Sequence, residues 1–226
     1  ALFRRGDDWA TFVVEEGTAV LRGVEIGERD FRGLVIHHQG ENFSVGANLL
    51  SVLEGIQANQ WAGIDEMIRA FQSMTTGLRK AKIPVITAPF AYTFGGGCEI
   101  TMGGDRVCAA AETYIGLVEV GVGVIPAGGG CLRLYRRHVA ALPDKNDLYP
   151  ALKNTFETIG MAKVATSAAE ARQMGFLCPG DRWSMNRDQQ IADAKDQALT
   201  LARAGYRASP PDVSLPMTIP PWPRRV

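Results

Sequence analysis

The run Gly95-Gly96-Gly97-Cys98-Glu99 constrains this chain more than any other stretch. It follows Ile83-Pro84-Val85-Ile86-Thr87-Ala88-Pro89-Phe90, whose apolar composition predicts a buried strand. It precedes Ile100-Thr101-Met102, which predicts the opening turns of a helix. A strand, a glycine turn and a helix start bring main-chain N–H groups without intrahelical partners to a positively polarised helix end. Glycine leaves no Cβ between those donors and a ligand. Such a turn suits an oxygen that gains negative charge. A second acid, Glu119, lies farther along within Ile115-Gly116-Leu117-Val118-Glu119-Val120. Together the two blocks predict an anion-stabilising pocket with a pair of carboxylates beside it.

Each residue also has a plainer reading. Three glycines can serve only to pack a helix closely on a sheet, and Glu99 in a first helical turn can simply complement the helix dipole. Glu119 is harder to dismiss, because an acid between Val118 and Val120 is seldom placed there for solubility. His37 and His38 at a strand end read as structural or exposed, His138 as a solvated helix residue, and Met67 and Met74 as core filler.

Around this centre the pattern alternates. Gly33-Leu34-Val35-Ile36-His37-His38 predicts a strand, followed by a loop over residues 39–47. From Trp61 to Arg79, Ile64, Met67, Ile68, Phe71, Met74 and Leu78 fall on one helical stripe. Val107-Cys108-Ala109-Ala110 and Thr113-Tyr114-Ile115 predict two further short strands, so strands and helices imply an α/β layered core. Ser167-Ala168-Ala169-Glu170 is a capping box opening a short helix over residues 168–174. Residues 188–204 are alanine-rich with mixed charge and predict an exposed or interface helix. The segment from Ser209-Pro210-Pro211 to Pro220-Pro221-Trp222-Pro223 cannot continue it and predicts an extended tail or linker. The sequence shows no internal repeat.

Composition excludes some partners. Among 226 residues, Lys+Arg and Asp+Glu both number 24, so no global basic field exists to draw nucleic acid or an anionic membrane. The basic stretch Arg133-Leu134-Tyr135-Arg136-Arg137-His138 reads as a solvated helix face rather than a phosphate site. Four cysteines lack metal-ligand or C-x-x-C spacing, which indicates a reducing compartment and no metal site. No apolar run is long enough to span a membrane, and the first residues are not a signal peptide.

Three blocks, in order, carry a resemblance to the crotonase (enoyl-CoA hydratase/isomerase) superfamily: Phe43-Ser44-Val45-Gly46-Ala47-Asn48-Leu49, Phe94 through Glu99, and Ile115 through Glu119 followed by Gly123-Val124-Ile125-Pro126-Ala127-Gly128-Gly129-Gly130. The resemblance runs from about Gly33 to about Leu177 and implies an α/β fold with a crotonase-like ββα superhelix core. On that basis residues 1–160 form the core, 161–206 a C-terminal helical region and 207–226 the proline-rich tail. It implies an oxyanion hole from the main chain of Ala47 and Gly96, catalytic acids Glu99 and Glu119, and substrate contacts at Gly46, Gly95 and Gly97. The expected activity is hydration of trans-2-enoyl-CoA in fatty-acid β-oxidation. The thioester is the substrate and no cofactor is expected in this chain. Isomerisation of enoyl-CoA and a catalytically silent acyl-CoA-binding or assembly module remain as alternatives.

The chain departs from the family pattern at Asn48 for the usual aspartate, at Val118 for a proline and at Ala127 for a glycine. It also lacks the N-terminal N-R-P…N-A-L segment that contacts coenzyme A. The wording around Glu41–Leu49 and Gly116–Gly123 most resembles a hydratase domain fused to a 3-hydroxyacyl-CoA dehydrogenase. A start without methionine and a proline-rich end fit a piece of such a protein. A cytoplasmic location is expected, with assembly as a homo-oligomer or as part of the fused chain.

Overall fold

The computed structural model describes residues 32–208 in full and, before them, the backbone of three strands. Those strands, β1 (Leu2–Arg5), β2 (Asp8–Glu15) and β3 (Thr18–Val24), form an antiparallel sheet with Val13 opposite Val20. Of the expected proline-rich tail, residues 209–226 lie outside the described residues.

From residue 32 onward the chain winds as a spiral of strand, strand and helix. The first turn is β4 (Leu34–Ile36), an isolated bridge residue at Ser44, then helices α1 (Leu49–Gln57) and α2 (Trp61–Arg79). The second is β5 (Val85–Thr87), β6 (Tyr92–Phe94) and α3 (Gly96–Gly103). The third is β7 (Arg106–Ala110), β8 (Tyr114–Gly116), a 3-10 turn (Glu119–Val122) and the helices α4 (Gly130–Ala141) and α5 (Tyr149–Gly160). Then come β9 (Val164–Ala165), α6 (Ala168–Gln173), β10 (Arg182–Ser184) and α7 (Gln190–Arg203). The first strands of successive turns pair in one parallel sheet, ordered β10-β7-β5-β4. The second strands gather in another, β6-β8-β9, which Ser44 joins through its parallel bridge to Thr93. The repeat is therefore structural, a ββα spiral with no matching repeat of sequence.

Strand β5 is buried on both faces. Residues 84–90 are all buried, as their apolar run predicts. The principal core lies among Cys98, Met102, Val107, Ile115, Leu117, Leu134 and Phe176, and so joins α3, α4 and the strands around them. A second cluster of Ile86, Ala88, Cys108, Ala194 and Ala198 seats α7 on the parallel sheet.

Several expectations change here. The predicted strand at 83–90 is interrupted after Thr87, and the separate strand β6 leads into the glycine turn. The helix after that turn begins at Gly96 rather than Ile100, so Gly96 and Gly97 form its first turn. The helix expected to be exposed or interfacial at 188–204 runs from Gln190 to Arg203 and packs on β4, β5 and β7. Ala194 and Ala198 are its core contacts, because a closely packed helix needs small residues at the crossing, while most of its other residues stay exposed. Along α2 the stripe residues Ile64, Ile68, Phe71 and Met74 are half-buried and Leu78 is buried, while Met67 is exposed rather than core filler. Helices α1 and α5 were not legible in the sequence. The capping box at Ser167 forms in half: Ser167 Oγ accepts from the Glu170 amide, while the Glu170 carboxylate accepts from the amide of Thr166, one residue early.

Candidate active site

The site is assembled where the spiral brings three loops onto the start of α3. Gly95 takes φ 55° and ψ −123°, a combination open to glycine, and so turns the chain from β6 into the helix. Its amide donates to the carbonyl of Gly116 at 3.0 Å, which fixes the turn on the segment leading to Glu119. On the opposite flank, Phe94 N donates to Ser44 O at 2.8 Å and Ser44 N to Tyr92 O at 3.1 Å. Gly46, at φ 97°, closes this contact: a Cβ built on it would stand 3.9 Å from Gly96 N and 4.0 Å from Gly95 Cα. Thus Gly46, Gly95, Gly96 and Gly97, which the sequence places in two separate blocks, come together. Ala47 follows Gly46 on the exposed side of the same loop. Asn48, where the resemblance led us to expect an aspartate, caps α1 by accepting from Leu50 N at 3.1 Å and Ser51 N at 3.3 Å. An uncharged cap serves this helix start as well as an acid does.

Gly97 has no room for a side chain. A Cβ there would lie 2.6 Å from Ser44 Cβ and 3.1 Å from the Ser44 carbonyl oxygen. Ser44 is pinned by the hydrogen bonds just named and cannot yield. We expect Gly97→Ala to destabilise the protein by about 1–3 kcal/mol through overpacking, and to push the Gly46–Ala47 loop off the helix start. Urea unfolding of the variant checks the first effect, and amide hydrogen exchange in that loop the second.

Both glutamates reach the same place. Glu99, in the first turn of α3, is 2% exposed, and its Oε1 accepts from Gly130 N at 2.8 Å. Gly128 and Gly130 crowd it: a Cβ on the first would stand 2.7 Å from Oε2 and on the second 3.0 Å from Oε1. Glu119 opens the 3-10 turn, and a Cβ on Gly95 would stand 3.5 Å from its Oε1. Its Oε2 is buried with no hydrogen-bond partner among the described residues. In a site of this kind, such an oxygen is ready for a proton or a polar ligand.

Both acids are held above their ordinary range, Glu119 the further. Burial raises the proton affinity of Glu99, but the Gly130 and Gly128 amides and then the Arg133 charge work against it. Burial raises Glu119 much further, to about 7, with weaker opposition from its own main chain and an added push from Glu99. The more buried acid is therefore the easier one to ionise, because two amides and a cation act on it, whereas Glu119 has only its own main chain. The sign for stability follows. A carboxyl whose folded pKa lies above its ordinary value of 4.5 loses its contribution as pH rises toward about 7. We expect wild-type stability relative to Glu119→Gln to fall between about pH 5 and about pH 8, as read by urea midpoints at the two values.

Other candidates separate from this centre. Cys98 is buried, and its thiol is pushed far up by burial first and Glu119 second, which makes it a poor nucleophile. His37 packs at a tilt on Phe90, ring centroids 4.9 Å apart, away from the acids. His138 is not the solvated residue that the sequence suggests: its ring bonds Thr155 Oγ1 at 2.8 Å and Met174 O at 3.1 Å. Beside it, a cleft of about 250 Å³ lined by His138, Glu157, Lys163 and Met174 lies apart from the glutamates. Arg133 likewise departs from the expected solvated face and is buried behind Glu99. The Gly130 amide and Arg133 are the parts of the site that the residue pattern did not single out. The first was visible only as a run of small residues, the second only as one arginine among several.

Comparisons with known proteins give the family and the fold. A family model described as enoyl-CoA hydratase/isomerase matches residues 11–142. A Bacillus subtilis protein named "Probable 3-hydroxyacyl-CoA dehydrogenase" is 45% identical over 188 residues, 83% of this chain and 23% of that protein. A Rickettsia felis protein, named for a fatty acid oxidation complex trifunctional enzyme, is 32% identical over 77% of this chain and 22% of its own. The chain thus spans less than a quarter of the length of these curated relatives. The crystal structure of an enoyl-CoA hydratase from Bacillus anthracis superposes with a TM-score of 0.61 at 23% identity, over 77% of this chain and 60% of that one. An enoyl-CoA hydratase from Polaromonas gives a TM-score of 0.60 at 23% identity over 76% and 60%. These two establish a shared crotonase fold. Because the family model covers more than half of the residues and includes both glutamates and all the turns around them, this chain belongs to the enoyl-CoA hydratase/isomerase family.

Proposed function

We propose that the chain is an enoyl-CoA hydratase that adds water across the double bond of a trans-2-enoyl-CoA. The observation that carries this reading is the pair of unlike carboxyls at one helix start, Glu99 held by the Gly130 amide and Glu119 raised to about 7. Hydration needs a base and an acid together. The ionised Glu99 takes a proton from water as its oxygen bonds to the β-carbon, and Glu119 gives its proton to the α-carbon. The carbon–carbon π pair ends in the new α-C–H bond, and the elements of one water are added. The two carboxyls exchange one proton in each cycle, returned through the next water.

During attack the thioester oxygen gains enolate charge, and the main-chain N–H groups of Gly96 and Ala47 are its proposed donors. Gly96 stands at the N-terminus of α3, where the helix dipole adds to the effect. Gly46, where a Cβ would stand 3.9 Å from Gly96 N, keeps a side chain away from those donors, while Gly95 shapes the turn and Gly97 packs against Ser44. Loss of enoyl absorbance on adding the protein to crotonyl-CoA tests the reading. Conversion of a 3-enoyl-CoA to its 2-enoyl isomer without hydration would instead favour the isomerase. Binding without turnover of either would favour a silent acyl-CoA module.

The lengths and names of the curated relatives support a second step: that this chain acts as the hydratase part of a longer β-oxidation protein. In a location such as the cytoplasm, as a homo-oligomer or fused to a dehydrogenase, it would pass its 3-hydroxyacyl-CoA product onward. The described helices include none long and apolar enough to cross a membrane. Oxidation of 3-hydroxybutyryl-CoA with NAD by this chain alone would contradict that division of labour.

A further inference from the structure

Arg133, on the first turns of α4, is a guanidinium only 8% exposed, and its hydrogen bonds go to main-chain carbonyls rather than to an acid. Nη1 donates to Glu99 O at 3.1 Å and to Gly128 O at 3.4 Å, and Nη2 donates to Thr75 O at 2.9 Å. One side chain therefore ties together α2, α3 and the loop that presents Gly128 and Gly130 to Glu99. A buried cation is costly unless it is fully used. The neutral part of this bracing is already supplied from α2: Gln72 Nε2 donates to Ala127 O at 2.8 Å, and Thr75 Oγ1 to Gly128 O at 2.6 Å. What Arg133 adds is the link to α3 and a positive charge behind the carboxylate. Burial lowers its own pKa to about 10, so it keeps that charge at neutral pH.

We propose that Arg133 is the positioning residue of the glutamate pair: it locks the Gly128–Gly130 loop against Glu99 and keeps Glu99, not Glu119, the ionised member. The other titratable or charged groups facing this cluster are Cys98 on α3, Cys131 and Arg137 on α4, Arg79 on α2 and Glu119 itself. Arg137 is spent on the carbonyls of Phe176, Gly175 and Met102, so it does not replace Arg133 behind Glu99. The role in catalysis rests on the hydratase reading, while the role in ionisation does not.

The test follows both. Carbon-13 NMR of labelled glutamate, assigned with Glu99→Gln and Glu119→Gln, reads the titration of each carboxyl in wild type, Arg133→Gln and Arg133→Lys. Hydration of crotonyl-CoA across pH gives the parallel profile. In wild type, Glu99 should lose its proton at lower pH than Glu119. In Arg133→Gln the Glu99 midpoint and the acid limb of kcat should both move up, with KM little changed. Each unit of that movement lowers the rate about tenfold on the acid side. Arg133→Lys, which restores charge without the three-way fork, should recover much of the shift. A folded Arg133→Gln with the wild-type midpoint overturns the proposal, as does Arg133→Lys indistinguishable from Arg133→Gln. Should neither variant fold, Glu99 in wild type holding its proton to higher pH than Glu119 overturns it as well. A wild-type protein that hydrates nothing defeats the hydratase reading and leaves the titration order to decide this one.

Discussion

Glu119→Gln and Glu99→Gln are each expected to lower crotonyl-CoA hydration by about 10²–10⁴-fold, the range of a lost general acid or base. The two losses should differ in kind. Glutamine at 119 removes the proton donor from a place where Oε2 has no partner among the described residues, so the amide meets little resistance and the fold should stay intact. Glutamine at 99 must fit where Gly130 N already donates to Oε1 and where Gly128 closes on Oε2. Its amide oxygen can take the Gly130 bond, while the NH₂ group then faces the Gly128 side. Glu99→Gln should therefore lose activity and some stability together. Because the carboxyls act as a unit, the double variant should be little worse than either single one. Turnover near the wild-type rate in either single variant would remove the two-carboxylate mechanism.

Gly96→Pro is expected to cost about 10²–10³ in rate, as other enzymes lose on deletion of one oxyanion donor. Proline deletes the N–H without adding a charge or a polar group. Its fixed φ is tolerated at a first helical position, where Gly96 stands. The ring nevertheless approaches Phe71, since a Cβ on Gly96 would lie 3.2 Å from the Phe71 Cζ. Gly96→Ala is the matched control: it makes the same approach to Phe71 but keeps the donor. A large fall for proline with a small one for alanine assigns the loss to the missing N–H. Equal falls would show that the crowding of Phe71, rather than the donor, sets the rate. Circular dichroism of both variants checks that the helix has formed.

Local signals carried much of this. The glycine run, the stripe from Trp61 to Arg79 and the short apolar strands are encoded within a few residues of themselves, and α2 has the bounds that its pattern predicts. The family likeness and the identity of both acids were likewise legible, because each acid sits inside a distinctive short block. Failures arose where a residue's surroundings come from far along the chain. Met67 shares the helical stripe with Leu78 yet is exposed, whereas Ile64, which faces Gly55 of α1, is half-buried. The alanines of α7 look like a surface helix until the parallel sheet is seen beneath them.

The sequence by itself determined which groups are present: two carboxyls, a glycine turn opening a helix, and a second glycine loop to meet it. Only the tertiary structure decided what those groups are worth chemically. A carboxyl's proton affinity depends on water excluded and donors supplied within a few ångströms, and for Glu99 those donors come from Gly128, Gly130 and Arg133, a different turn of the spiral. The difference between Glu99 and Glu119 is written in no local pattern. It arises because packing α4 against α3 brings a cation and two amides to one acid and leaves the other with a buried oxygen that nothing among the described residues satisfies.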